Sequence, residues 1–202
     1  MVSYQASAQN SQKSNLAILE QDISSELDRF LYYPSVDRSL PFVFSIGSSK
    51  NNKEEKKFLQ NLVKKTASAE KLKISFVTPG EEVKSDSAFN FCRINIKKLN
   101  TVYTKLLKNS FLGEKSMERK ITSELSIEIE SSTGSMLVKD NISTIYTDEI
   151  QYDGYEKFES SEYGFTKSFP PDISFLESII FPAAIITASA VAAILFFTIR
   201  SK

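Results

Sequence analysis

The chain has 202 residues, 25 of them basic and 25 acidic, with 41% apolar side chains and no histidine. That length holds one ordinary domain plus an anchor, and the balance of apolar and charged residues is that of a globular chain. The missing histidine excludes Ser-His-Asp and Cys-His catalysis, imidazole base chemistry and the commonest zinc sites. The single cysteine, Cys92, excludes an intrachain disulfide and a multi-cysteine metal site. Setting aside Arg200 and Lys202, which follow the apolar tail, leaves 23 basic against 25 acidic residues. A nucleic-acid binder would show a basic face or stripe instead, so no nucleic acid is expected as a partner.

Residues 1–14 carry Ala6-Ser7-Ala8 followed by the polar run from Gln9 to Gln12. The segment reads either as the remnant of a signal peptide whose start lies upstream of Met1, or as a disordered tail. From Asn15 to Tyr33, Leu16, Leu19, Ile23, Leu27, Phe30 and Leu31 recur at helical steps, with Ser14 or Asn15 as cap and Pro34 as the stop. Leu40 to Ile46 is a short apolar run that suits a central strand covered on both faces. A second amphipathic helix follows, with Phe58, Leu59, Leu62, Val63 and Ala67 as its buried stripe. Lys73 to Val77 is the next strand, which makes a right-handed parallel βαβ unit.

Thr78-Pro79-Gly80 is a turn. Phe89 to Ile96 is strand-like, and Leu99 to Leu107 either continues it or forms a second strand. Arg119 to Glu130 alternates with period two, with Ile121, Leu125, Ile127 and Ile129 on one side, which predicts a half-exposed antiparallel strand. Ser131 to Gly134 turns the chain, and Met136 to Tyr146 returns beside it. Thr147 to Pro171 is acidic and aromatic; its rings either dock on the domain or sit at a membrane interface.

Ser178 to Ile199 has no charged residue, and about 20 apolar residues span a bilayer core. A single transmembrane helix is expected there, with Arg200 and Lys202 on the cytoplasmic side. Ala184, Ala188 and Ala192 form a small-residue stripe suited to helix packing within the membrane.

The order helix, strand, helix, strand and meander, with the hairpin from Leu125 to Ser143 (LSIEIESSTGSMLVKDNIS), resembles a group of bacterial envelope domains. The group includes the N-terminal domain of the Tol–Pal translocation protein and the α/β domain of the curli secretion lipoprotein. The resemblance covers about Asn15 to Asp148 and implies a secretion or translocation role, without transferring any functional residue.

Three clusters were weighed for chemistry. Gly47-Ser48-Ser49-Lys50 lies between a strand and a helix, where an anion can sit, yet it lacks P-loop spacing. Cys92 has no histidine to activate it. Asp148, Glu149 and Asp153 cluster just after the last expected strand; they match no calcium loop and read as a solvated acidic turn. No catalytic, cofactor-binding or metal site is expected, and no cofactor.

The expected architecture is therefore α+β (α/β): a helix, a βαβ unit and an antiparallel meander in one mixed sheet, followed by a single C-terminal transmembrane helix. Residues 15–150 would form the soluble domain, 151–177 a juxtamembrane segment, 178–199 the membrane helix and 200–202 a cytoplasmic tail. The expected function is that of a non-enzymatic envelope protein in the inner membrane, single-pass, its domain in the periplasm for protein binding or assembly. Its expected partners are the lipid bilayer and another envelope protein, with oligomers possible through the membrane helix. The alternative is a tail-anchored adaptor with the domain in the cytoplasm.

Overall fold

A computed structural model describes residues 12–50, 52–81, 87–108, 114–172, 185–192 and 196. Helix α1 (Asn15–Leu31) starts where the Ser14 hydroxyl accepts the Ala17 N–H at 3.2 Å. It ends at Leu31, three residues before Pro34, because a residue preceding proline is driven out of the helical region. Its buried stripe includes Ile18 where the spacing had pointed to Leu16, which is only partly buried. Helix α2 (Lys53–Ala69) is capped by the Asn52 side chain on the Glu54 N–H and buries the whole expected stripe, with Glu55 and Thr66 in addition.

Five strands form one mixed sheet in the order β2-β1-β3-β4-β5. They are β1 (Phe42–Ser48), β2 (Ile74–Val77), β3 (Asn90–Lys108), β4 (Ser116–Ser131) and β5 (Met136–Gln151). Strand β1 runs parallel to both β2 and β3, whereas β3, β4 and β5 form an antiparallel meander. Strand β3 is continuous across Leu99, with a register shift between Ile96 and Lys98. One extra residue there lets a long strand keep its apolar side chains on one face while it bends.

One face of the sheet is covered by the helices. Phe42, Phe44, Ile46, Ile94, Ile96, Leu125, Ile127 and Ile129 lie there against Leu19, Ile23, Phe58 and Leu59, and all are buried. Full burial of such side chains contributes about 1.5–3 kcal/mol each. The other face is mainly polar and open, and ion pairs such as Arg93–Glu130 (2.6 Å) and Lys139–Glu128 (2.7 Å) cross it. Over β1 this open face is nonetheless covered: Val43 and Ser45 are buried. Both lie in the middle strand of the parallel part, with β2 and β3 flanking β1 on either side.

The hairpin turn works as its composition predicts. Gly134 takes φ +81°, and its N–H and that of Ser135 return to Ser131. The acidic, aromatic stretch after β5 docks on the domain. Two short 3₁₀ turns, Tyr155–Phe158 and Gly164–Thr166, place Tyr163 and Phe165 against Phe58, with ring centroids 5.5 and 5.2 Å away.

The expected transmembrane helix over 178–199 is corrected: among the described residues, no helix is long and apolar enough to cross a membrane. The described helical residues of that segment are 185–192 and Phe196. The physical reason is that hydropathy measures how side chains partition between water and lipid and does not by itself fix the length of a helix. The fold is therefore the mixed α/β sheet without a shown membrane helix. Both locations that rested on the anchor lose their basis: single-pass in the inner membrane with a periplasmic domain, and tail-anchored with a cytoplasmic one. Ala188 and Ala192 lie on helical residues and are exposed. Ala184 and the tail 200–202 lie outside the described residues, as do residues 1–11 with the Ala6-Ser7-Ala8 motif.

Candidate functional site

Each sequence candidate for chemistry has a structural occupation. The start of α2 after Gly47 is filled by the chain itself: the Glu55 carboxylate is buried and accepts the Ser48 hydroxyl at 2.6 Å. A helix N-terminus that already holds a carboxylate does not need an outside anion. Gly47 has another task. A Cβ there would meet the Asn95 side-chain oxygen at 3.1 Å, so glycine lets Asn95 lie across β1. Cys92 is buried on the helix-covered face, and burial pushes its thiol up to about 12. No group of acidic or cysteine side chains among the described residues is arranged to hold a metal.

Asp148 is not in a solvated acidic turn, because β5 runs on to Gln151. It faces Arg119 across the ladder. The Arg119 side chain is 0% exposed and grips Asp148 with two bonds, Nε to Oδ1 at 2.8 Å and Nη2 to Oδ2 at 2.6 Å. Its Nη1 donates to Asn15 Oδ1 at 2.8 Å and to the Lys13 carbonyl at 2.9 Å. Asn15 in turn donates to the Thr166 carbonyl and to the Tyr103 hydroxyl, which donates to Glu159. The Phe158 ring packs on the guanidinium, 5.0 Å from its carbon. A buried charge is tolerated when it is paired and hydrogen-bonded, and this network gives the guanidinium four hydrogen bonds while tying the start of α1, three strands and the C-terminal 3₁₀ turns together. Burial is the main cause that raises the Tyr103 phenol well above its ordinary value.

That network anchors the end of β5, whose outer edge no strand pairs with among the described residues. In an antiparallel ladder alternate residues turn their N–H and C=O toward one neighbour and the rest turn them away. Three bonds identify the outward residues as the odd ones: Leu137 O accepts Ser35 at 3.1 Å, Glu149 O accepts Gln12 at 2.7 Å, and Asn141 N donates to Asp140 at 2.7 Å. Side chains from elsewhere in the chain thus cover the edge at 137 and at 149, and the neighbouring Asp140 carboxylate takes the Asn141 N–H between them. Between them the outward backbone of residues 139–147 presents a window about 27 Å long.

Two clefts open between this edge and α1. One, of about 180 Å³, is lined by Arg29, Phe30, Tyr33 and residues 137–140. The other, of about 400 Å³, is lined by Lys13, Ile18, Gln21, Asp22, Tyr146 and Asp148. Burial raises the Asp22 carboxyl, and Lys13 opposes it. Beside the edge stand two exposed apolar side chains, Ile145 at 60% and Tyr146 at 36%. A larger cleft of about 600 Å³ lies on the open face between Pro79, Phe89, Phe91 and Glu130. Its charged pair, Arg93 and Glu130, is mutually satisfied. Sequence reasoning missed both Arg119 and the extent of the edge; the signal available was the charge at Arg119 in phase with Ile121 and Leu125.

No family model matches the chain, and no curated protein does. Among solved structures it is similar to a neuraminyllactose-binding hemagglutinin homolog from Helicobacter pylori, at 12% identity over 63% of this chain and 81% of that one, with a TM-score of 0.36. It is similar to a minor lipoprotein from Acinetobacter baumannii, at 16% identity over 55% and 66%, with a TM-score of 0.31. It is also similar to rare lipoprotein B from Shewanella oneidensis, at 13% identity over 76% and 98%, with a TM-score of 0.32. These likenesses are to bacterial lipoproteins in two cases, and they do not show the Tol–Pal or curli domains. At such TM-scores they carry no argument about family or activity.

Proposed function

We propose that this chain is a non-enzymatic bacterial envelope protein that works in binding or assembly, by taking an extended segment of a partner onto the outer edge of β5. The observation that carries the reading is the window at 139–147, which no strand pairs with among the described residues, lying between two side-chain caps and beside two clefts. A strand laid there gains main-chain hydrogen bonds, and its alternate side chains reach the clefts. The order of helix, βαβ unit and meander, which resembles that of envelope domains, supports the envelope half of the proposal.

The test is a photo-crosslinking amino acid placed at Thr147, and separately at Lys64 on α2, in producing cells. An adduct of discrete mass from Thr147 but not from Lys64, lost in Ser143→Pro, is the expected result. Proline at 143 removes an outward N–H from the edge while leaving the inward ladder to β4 intact. Equal labelling from the two positions, or none from Thr147, sinks the proposal.

A further inference from the structure

Resting on that reading, we infer that the segment taken onto β5 is the β5 of a second copy of this chain, antiparallel, with Ser143 on the two-fold axis. Three observations converge on this occupant. First, the window is centred on Ser143: the caps at Leu137 and Glu149 lie six residues to either side. A two-fold axis at Ser143 pairs the window with itself, 139 with 147 and 141 with 145, and sets each copy's cap at 137 opposite the other's at 149, so that the ladder between copies ends at the caps and the Asn141 N–H exchanges Asp140 Oδ1 for the carbonyl of Ile145 in the second copy. Outward residues then meet outward residues, as an antiparallel ladder requires.

Second, the charges agree with this register. Lys139 meets Thr147, Asp140 meets Tyr146 and Val138 meets Asp148, so no like charges stand opposite one another. Moving the axis to residue 144 would set Asp140 against Asp148, and like charges directly opposite destabilise a sheet. Third, the register gives the exposed aromatic a place. The second copy's Tyr146 falls opposite Asp140, at the cleft of about 180 Å³ beside Arg29, Phe30 and Tyr33. Such a contact is isologous, as two-fold interfaces are.

The test is disulfide mapping on the full chain. Cys92 is buried with its thiol held protonated, so an introduced cysteine is the reactive one. Across a hydrogen-bonded antiparallel pair the Cα atoms are about 5.5 Å apart, within disulfide reach. Ser143→Cys is expected to oxidise to a covalent dimer roughly tenfold or more faster than Lys139→Cys or Thr147→Cys alone, because paired thiols need not diffuse together. Mixing the Lys139→Cys and Thr147→Cys chains should restore fast crosslinking. The unmodified chain should sediment at twice 22.8 kDa, and Ser143→Pro should sediment as the monomer.

Equal rates for all three single variants, or a failure of the mixed pair, overturns the register. A monomer at every concentration overturns the second copy as occupant. If the Thr147 adduct then has the mass of a different protein, strand addition at β5 stands and only this inference falls. If there is no adduct, both fall.

Discussion

The two edges of the sheet are built in opposite ways. Strand β2 is four residues long and sits beside β1, and both are held by apolar packing of Ile74 and Phe76 against the helix-covered core. Strand β5 is 16 residues long, most of its side chains are exposed, and near its end it is held by a buried arginine. A short edge offers little to pair with, while a long one is open to another strand unless something blunts it. Here, among the described residues, side chains bond the edge at Leu137 and Glu149, and Asp140 takes the Asn141 N–H between them. The comparison teaches that an apolar core and an exposed pairing edge can coexist when a polar network, not more hydrophobic cover, fixes the edge.

The largest effect should come from breaking that network. Arg119→Ala leaves Asp148 and Asn15 without their partner and is expected to cost about 3–5 kcal/mol. Chemical denaturation measures the loss, and hydrogen exchange should show β5 amides opening before those of β1. Equal opening on both sides would erase the distinction between the edges. Leu59→Ala on the apolar side, at a site with no exposed surface, is expected to cost about 2–5 kcal/mol and to loosen the whole domain uniformly.

Alkaline pH sharpens the same contrast. Cys92 and Tyr103 both have raised values in the folded state. They therefore stay protonated in the folded chain while their unfolded counterparts ionise. Their contribution is complete below the ordinary values of 9.0 and 10.0 and is lost as pH rises through the raised ones. Stability should fall from about pH 9 upward. Tyr103→Phe should be less stable at neutral pH yet lose less between neutral and strongly alkaline conditions; an unchanged alkaline slope would exclude the phenol as a cause. The smallest effect is Asn52→Ala, which removes the cap of α2 far from β5 and should cost about 1 kcal/mol in thermal denaturation without changing the mass seen in sedimentation.

Much of the path to these edges was legible. The spacing of Leu19, Ile23 and Leu27 marked α1, the stripe from Phe58 to Ala67 marked α2, and the alternation from Ile121 to Ile129 marked the buried side of β4. The rest was hidden for reasons that can be named. Arg119 is polar, so its burial depends on Asp148 and Asn15 arriving from 29 and 104 residues away. Asp148 looked like a turn residue because acidic composition follows Tyr146, yet the ladder to β4 carries β5 on to Gln151.

The sequence by itself determined the elements and their order, because helical and strand periodicities are local properties set by which side chains must leave water. It also determined the absence of histidine chemistry. Only the tertiary structure decided which face of the sheet is open, which edge is long and where a buried cation finds its anion. Each of these depends on which distant segments pair and how far a backbone stays regular, and neither is written in the local pattern of side chains.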